Sequence, residues 1–492
     1  MASILQNPPA LLNVITAKVK SMDMAAQIHQ TRKAFPDLYH TMPWISPGAA
    51  RAAQALRREL LDEISTHTQA RWEFAGTKLY THAISPGCAL CGQGTWSCLF
   101  INGICNARCF YCPSEQKDQG PPMTSSIEFE RPKDYADYVK KFGIRGVAFS
   151  GGEPMISFDR IICFLDILGR EVPDLSHIWM YTNGTLVTTD RLKILRDKGL
   201  KEIRFDLPAA DYALDSLKKA VGIIPVVTVE MPAIPEDLER TKPLLKSLSG
   251  LGVNFLNLHQ IRCTHFNLPK LISHGYTFLH GPGVSVLETE LAALELILHS
   301  LRNEINLPIN YCAFTYRQQF QKAAARKRNA DLIKHAWEDI TATGFIRTMT
   351  LSGDPNQTGA VARYLETRGK KGTDWTAGKD GITIPRSLWP NSLNLSDLTL
   401  TLKYHSTALR AAPSMRYPHI PVQLNKDSHV IIEKDNQHPG IRIAGRQIPG
   451  FAETFLFPNE PYATLVQSGL DPVLEEKICS FEKFSPGLAP YF

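Results

Sequence analysis

The chain has 492 residues, 43% of them hydrophobic and 21% charged, an ordinary composition for a globular protein large enough for two or three domains. Its net charge of +6 is modest and its acids are spread throughout, so the balance makes no demand for nucleic acid. No apolar run approaches the roughly 20 residues of a membrane-spanning helix, and Met1-Ala-Ser-Ile-Leu-Gln-Asn-Pro8 lacks the basic and apolar segments of a secretion signal. A cytoplasmic protein with no membrane contact is expected.

Residues 1–86 read as a helical extension. Pro8-Pro9 opens one helix, and Ser46-Pro47 supplies an N-cap and first-turn proline for another. In that second helix Ala49, Ala53, Leu56, Leu60 and Ile64 recur at helical spacing. No catalytic pattern occurs in this segment.

The cysteines come next. Six of the ten lie between Cys88 and Cys112, and in a reducing compartment such clustering points to metal ligands rather than disulfides. Cys88-Ala-Leu-Cys91 and Cys98 form one set, for which a second metal site and plain buried thiols both stand open. Cys105-Asn-Ala-Arg-Cys109-Phe-Tyr-Cys112 is the other, on a turn after the apolar run Trp96–Asn102. Three thiolates hold three irons of a cubane cluster and leave the fourth iron open to a small-molecule ligand. A closed zinc or iron–sulfur site needs a fourth protein ligand, and it would make the chain a non-catalytic metal-binding regulatory or scaffold protein.

Residues 87–315 alternate short β-type runs with amphipathic stretches such as Ile161–Leu168, Arg191–Asp197, Ala210–Ala220 and Leu287–Leu301. The runs are Cys98–Asn102, Arg145–Ser150, Ile178–Thr182, Glu202–Leu207, Val226–Met231 and Phe255–His259, with Ile309–Cys312 as a seventh. This cadence predicts an α/β fold, a partial (β/α)6-type parallel barrel with right-handed crossovers, whose chemistry collects at the strands' carboxyl ends. Those ends deliver the three cysteines, Gly151-Gly152-Glu153-Pro154, Tyr181-Thr182-Asn183-Gly184, Arg204-Phe-Asp206, Glu230 and His259-Gln-Ile-Arg262-Cys263. Paired glycines admit a close backbone approach, and Glu153 is suited to an ammonium group. Taken singly, the glycine and Thr-Asn-Gly segments are ordinary turns, and Arg204, Asp206 and Glu230 read equally as a buried ionic cluster.

Residues 316–492 open with Arg317–Arg328, a basic helix without an acid. It reads either as a solvated face or as a docking surface for an acidic partner. Strand-like runs follow at Phe345–Leu351, Leu398–Tyr404, Val430–Glu433, Ile441–Ile443 and Thr454–Phe457, predicting an α+β accessory domain.

Together these motifs resemble the radical S-adenosylmethionine superfamily. Cys105-x3-Cys109-x-Tyr111-Cys112 matches its cluster motif and Gly151-Gly152-Glu153-Pro154 its glycine-rich motif. Thr182-Asn183-Gly184 and Asp206 fall at its ligand-contacting strand ends. The stretches Val229–Pro235 and Phe255–His259 are similar to the subgroup related to pyruvate formate-lyase activating enzyme. The resemblance implies a 4Fe-4S cluster on Cys105, Cys109 and Cys112. At that cluster S-adenosylmethionine would be cleaved reductively to a 5'-deoxyadenosyl radical that abstracts hydrogen from a substrate. Cofactor contacts would come from Tyr111, Gly151, Gly152, Glu153, Thr182, Asn183, Gly184, Asp206 and Glu230, with His259, Arg262 and Cys263 as substrate-contact candidates. The implied partners are an electron donor such as flavodoxin or ferredoxin and a protein or peptide substrate; nucleic acid is not expected. Neither the extra cysteines nor the long segment after the barrel belongs to the compact activating enzymes.

Overall fold

The computed structural model describes residues 20–118, 120–281, 283–457 and 469–491; the helix expected at Pro8-Pro9 lies outside them. The described chain divides into two compact units. The first runs to Gln321 and takes back residues 486–491; the second is Lys322–Ser485 with Ser125–Ile127.

In the first unit, α1 spans Lys20–Ala34 and α2 spans Pro47–Thr66. Ser46 caps α2 by accepting from the Ala49 amide at 3.2 Å, and Pro47 occupies the first turn. The buried stripe is Ala50, Ala53, Arg57, Leu60 and Ile64, so the helix is rotated from the expected setting and Ala49 and Leu56 face outward. Arg57 turns inward because a buried carboxylate, Glu290, meets it at 2.8 Å. The segment is also not wholly helical. A hairpin of β1 (Ala70–Glu73) and β2 (Lys78–Thr81) follows, too short for a pattern to register. Then comes α3, Pro86–Gln93, capped by Ser85 and ended by Gly94 in the left-handed conformation.

Seven parallel strands form the barrel wall: β3 (Trp96–Asn102), β4 (Gly146–Gly151), β5 (His177–Thr182), β6 (Glu202–Phe205), β7 (Val226–Pro232), β8 (Phe255–His259) and β9 (Ile309–Cys312). The order runs β1-β2-β9-β8-β7-β6-β5-β4-β3, with β2 antiparallel to β9. Every pair from β3 to β9 is parallel, as crossover helices require. Strands covered on both faces read as continuous apolar runs, and Val147-Ala148-Phe149 of β4 is wholly buried. The crossover helix α4, Phe158–Glu171, docks through Ile161, Phe164, Leu165 and Leu168.

The sheet curves without closing, and α3 plugs the lower part of its hollow. Cys88 lies 3.6–3.8 Å from side-chain atoms of Asn257, Arg204 and Asn310, on three different strands. A Cβ on Gly87 would sit 2.4 Å from the Arg204 guanidinium, so a larger residue there would displace that side chain from its partners.

The second unit is an antiparallel sheet centred on β12 (Leu398–Arg410), flanked by β10 (Ile346–Gly353), β14 (His429–Asn436) and β15 (Ile441–Ala444). Two shorter strands extend it, β11 (Gly381–Ile384) beside β10 and β13 (His419–Gln423) at the edge beside β14, and Thr376–Gly378 pairs on the outer side of β11. Met349, Leu351, Leu400, Leu402 and Ile443 form its core with Phe451 and Leu456. Thr454–Phe457 is no strand: Ala452–Leu456 is a π-helical turn, wound so that Phe455 and Leu456 both reach that core. Arg317–Arg328 also differs from a single helix, being a π-turn over Arg317–Gln321 followed by α7, Lys322–Ile333.

Candidate radical site at the strand carboxyl ends

β3 ends at Asn102, and the loop carrying the three cysteines leaves from there. Asn102 Nδ2 donates to the Glu153 carbonyl at 3.1 Å and to Ser157 Oγ at 3.0 Å, fastening that end to the turn beyond β4. The Gly152 amide donates to the Asn102 carbonyl at 2.9 Å, and the Glu153 amide to the Ile104 carbonyl at 2.8 Å. A Cβ on Gly152 would lie 2.2 Å from the Ile104 carbonyl oxygen, and Gly151 adopts φ +153°. The paired glycines thus admit the chain's own cysteine loop, an approach the sequence assigned to a ligand.

Glu153 is fully buried, and its carboxylate is already engaged by the protein. It accepts from the Met155 amide at 3.0 Å, from Thr182 Oγ1 at 2.9 Å and from the Asn183 amide at 2.7 Å. Burial pushes its pKa up against those three bonds. This carboxylate locks the β4 and β5 ends together. The β5 turn then reaches the loop: Asn183 Nδ2 lies 2.7 Å from Asn106 Oδ1 and 4.0 Å from Cys105 Sγ. Gly184 donates its amide to Thr182 Oγ1 at 3.0 Å.

From β6, Asp206 accepts the Tyr111 hydroxyl at 2.9 Å, across 95 positions of sequence. Burial is the largest influence on Asp206 and raises its pKa to about 7. Asp206 therefore stands apart from the ionic cluster below it. That cluster joins Arg204 to Glu202 at 2.8 Å and to Glu230 at 2.9 Å, His177 to Glu202 at 2.8 Å, and Asn257 to Glu230 at 2.7 Å. Arg204 also donates to Ser85 Oγ at 2.9 Å, tying the plug to the wall. Glu230 takes part in this network through its Oε2.

Sequence reading missed what holds the loop from the other side. Residues 261–281 and 283–286, with α5 (Leu268–Ser273), form a strap over it. Asn267 Nδ2 donates to the Tyr111 carbonyl at 3.0 Å, Thr264 Oγ1 to the Pro113 carbonyl at 3.0 Å, and Lys270 Nζ approaches the Cys109 carbonyl at 3.5 Å. Phe110 stacks on His274 at 4.0 Å, and His274 and Tyr276 both bond Glu236. Nothing in a lone Asn or His advertises such a contact; only Phe110, inside the motif, offered a hint.

Of the substrate-contact candidates, His259 ends β8 directly opposite Cys312 of β9, and Arg262 is exposed just beyond it. Burial lowers the His259 pKa. Cys263 instead packs among Ile261, Leu268 and Val284.

The three thiols of Cys105, Cys109 and Cys112 are half-buried and free of disulfides; burial first, with smaller contributions from neighbouring charges, raises the pKa of Cys105 and of Cys109, the latter to about 11. Three soft donors without a fourth suit three corners of a cubane and one open iron. They do not converge on a point, and among the described residues no group of three or more His, Cys, Asp or Glu does so. A cubane asks for no such convergence, since each thiolate takes a different iron. A second site does: Cys88 faces the barrel polar groups, whereas Cys91 accepts from Gln321 Nε2 at 2.6 Å, and its burial raises its pKa to about 12. Those two read as packed thiols of the plug.

Residues 99–227 match the Radical SAM superfamily. A Methanocaldococcus jannaschii protein, a candidate glycyl-radical enzyme activating enzyme, is 26% identical over 57% of this chain and 77% of its own length. A Rhodopirellula baltica GTP 3',8-cyclase is 31% identical over 35% of the chain, which spans about half (47%) of that relative. Among solved structures, Streptococcus suis SuiB bound to S-adenosylmethionine aligns at 11% identity and TM-score 0.33, over 61% of this chain and 67% of that one. No helix among the described residues is long and apolar enough to cross a membrane. The cysteine loop, glycine turn and parallel strand ends assembled at one place thus lie largely in the segment that matches the Radical SAM superfamily, a family that uses a 4Fe-4S cluster with S-adenosylmethionine.

Proposed function

We propose that this chain generates a radical from S-adenosylmethionine at a cluster held by Cys105, Cys109 and Cys112 and abstracts hydrogen from a protein or peptide substrate, in the manner of activating enzymes. The observation that carries the reading is convergence. Four successive strand ends close on the loop that bears the thiols: Asn183 and Asp206 reach it with their side chains at Asn106 and Tyr111, the Glu153 amide reaches it at the Ile104 carbonyl, and the Asn102 side chain and Glu153 carboxylate brace those ends from beneath. The protein or peptide substrate is supported by the likeness to the activating-enzyme relative.

When bound, the cluster supplies one electron and the open iron at which the sulfonium–carbon bond is broken. The chain's own groups do the positioning. The Tyr111 ring, fixed through its hydroxyl to Asp206 and through its carbonyl to Asn267, makes a wall for an adenine. Asp206, bonded to Tyr111 of the same loop, would take ribose hydroxyls, and Asn183 a polar end of the ligand. Gly151, Gly152, Glu153, Thr182 and Gly184 set the backbone around it. Electrons arrive from an external donor of flavodoxin or ferredoxin type.

The test is anaerobic reconstitution followed by dithionite and S-adenosylmethionine. About four irons per chain and formation of 5'-deoxyadenosine are expected, both lost in Cys105→Ala. Bound zinc with no iron–sulfur absorbance would end the radical reading. For the substrate, the enzyme is given the macromolecular and small-molecule fractions of a deuterated lysate. Deuterium in 5'-deoxyadenosine from the macromolecular fraction supports a protein or peptide; deuterium only from the small-molecule fraction removes it.

A further inference from the structure

Above the α3 plug the barrel keeps a polar hollow. Cys98, Ser150, Tyr181, Glu230, His259 and Cys312 come from six strands, lie inside the wall and yet retain accessible surface. Glu230 is the one carboxylate among these six, and its Oε2 is taken by Arg204 and Asn257.

A cation enters from the seam of the barrel. After β9 the chain makes one helical turn, Phe314–Tyr316, and then the π-turn Arg317–Gln321. π-Turns are uncommon and recur at functional sites, because the extra residue re-aims a side chain at some cost in hydrogen-bond geometry. This one is pinned at its far end, where Gln321 bonds Cys91 of the plug. Its first residue, Arg317, is half-buried and has no side-chain hydrogen bond or ion pair among the described residues. Gln318, the next residue, keeps a buried Oε1 without a partner. His259 and Cys312 stand opposite each other on the paired strands β8 and β9, and Arg317 follows Cys312 by five residues, which puts its charge beside the hollow and near enough to act on Cys98, His259, Cys312 and Arg262.

Arg262 also has no ion pair among the described residues. Burial first, and then the Arg317 charge, lower its pKa. The groups that face this pair are few. His259 is disfavoured as a cation by burial, the two thiols are neutral, and Glu230 already serves Arg204. The two guanidinium groups lie just beyond the ends of the neighbouring strands β8 and β9, Arg317 half-buried and Arg262 exposed, and their like charges oppose each other, so an anion between them relieves that repulsion. Planar guanidinium forks match carboxylate and phosphate geometry better than a point charge does.

We propose that Arg317, assisted by Arg262, binds an anionic group of the substrate, a carboxylate or a phosphate, at the mouth of the hollow between His259 and Cys312. The assignment rests on the radical reading only for the identity of the hollow as the substrate chamber.

The experiment titrates reconstituted, S-adenosylmethionine-saturated protein by calorimetry, with pyrophosphate in one arm and glutarate in the other. One-site saturable binding is expected in at least one arm, weakened by added salt. The tighter arm identifies phosphate or carboxylate. Arg317→Gln should weaken it about tenfold or more, the scale of one charged hydrogen-bonded contact. Arg317→Lys should recover part of the loss, and the affinity for S-adenosylmethionine should hold. Arg262→Gln, at an exposed position where folding is not at stake, should weaken the same arm. The proposal is overturned if neither anion saturates, if both glutamine variants bind as the parent does, or if Arg317→Gln weakens S-adenosylmethionine instead. Anion binding that behaves as expected in a protein that never forms 5'-deoxyadenosine would remove the radical reading and leave the anion site standing.

Discussion

A single missing Cβ decides whether the cysteine loop can lie where it does. At Gly152 an added methyl would sit 2.2 Å from the Ile104 carbonyl oxygen and 2.7 Å from that of Gly103. Both are backbone atoms that cannot swing aside as a side-chain tip can. Gly152→Ala is therefore expected to push the loop outward and cut iron incorporation severely. Gly169→Ala, in α4 with nothing within 4 Å, should leave iron content unchanged and add up to about 1 kcal/mol of helix stability. Iron assay and thermal melting on the two variants separate the local effect from a general cost of replacing glycine. At this scale the sequence was informative about position and less so about role. The glycines, Glu153, Asn183 and Asp206 stand at the loop as their strand-end placement predicted. Their partners could not be read, because hydrogen bonds among residues 30 to 95 positions apart follow from strand order and register.

Among the elements, the seven parallel strands were legible because each is a short apolar run bounded by turn residues. Phe255–His259 and Ile309–Cys312 agree to the residue. The β1–β2 hairpin and the strap escaped because their stability comes from what they touch. Lys78–Thr81 is buried against β9, and Asn267 carries no pattern of its own. Asn267 is nonetheless fully buried and makes four bonds. It accepts from the Thr264 amide at 2.7 Å and the Thr264 hydroxyl at 3.2 Å, and donates to the carbonyls of Tyr111 and Arg262. Asn267→Ala leaves those groups buried without partners, at a cost of about 1–3 kcal/mol. The variant should still fold, yet its reconstituted cluster should lose iron to a chelator faster than the parent's. An unchanged release rate would mean that the strap does not hold the loop. A second element-scale consequence concerns acid. Burial opposes ionisation of Glu202, but the Arg204 charge and the His177 and Thr228 hydrogen bonds outweigh it and hold the carboxyl at about 2. The folded value lies below the ordinary 4.5, so the stabilisation is present above the unfolded value and is lost as pH falls from about 4.5 toward about 2. It amounts to on the order of 3 kcal/mol at most. Denaturant titrations between about pH 5 and pH 3 should give a shallower acid dependence for Glu202→Gln, on a lower baseline because Arg204 loses a charged partner.

Across the whole molecule, the chain leaves the barrel unit at Gln321, builds the second unit and returns its last residues to the first. The return is specific. Arg57 of α2 donates to the Ala489 carbonyl at 2.8 Å and stacks on the Tyr491 ring at 4.0 Å. Tyr491 donates its hydroxyl at 2.6 Å to Glu290 of the helix α6 (Leu287–Arg302), and Tyr311 of β9 donates to the same carboxylate at 2.8 Å. One buried carboxylate thus joins an N-terminal helix, a late helix, the last barrel strand and the tail. Charge complementarity is complete only with the tail in place, since it supplies two of the partners around the Arg57–Glu290 pair. Ending the chain after Ser485 removes both and lets water reach a buried ion pair, whereas Tyr491→Phe removes one hydroxyl and keeps the ring over Arg57. Calorimetry should therefore show the transition of the barrel unit lowered by several degrees in the truncated chain. Tyr491→Phe, costing about 1–2 kcal/mol, should fall between it and the parent. The transition of the Lys322–Ser485 unit, whose core Phe451 and Leu456 share with β10 and β12, should hold its temperature in both. A truncated chain that melts like the parent would show that the tail only decorates the barrel, and the loss of both transitions together would show that the units unfold as one.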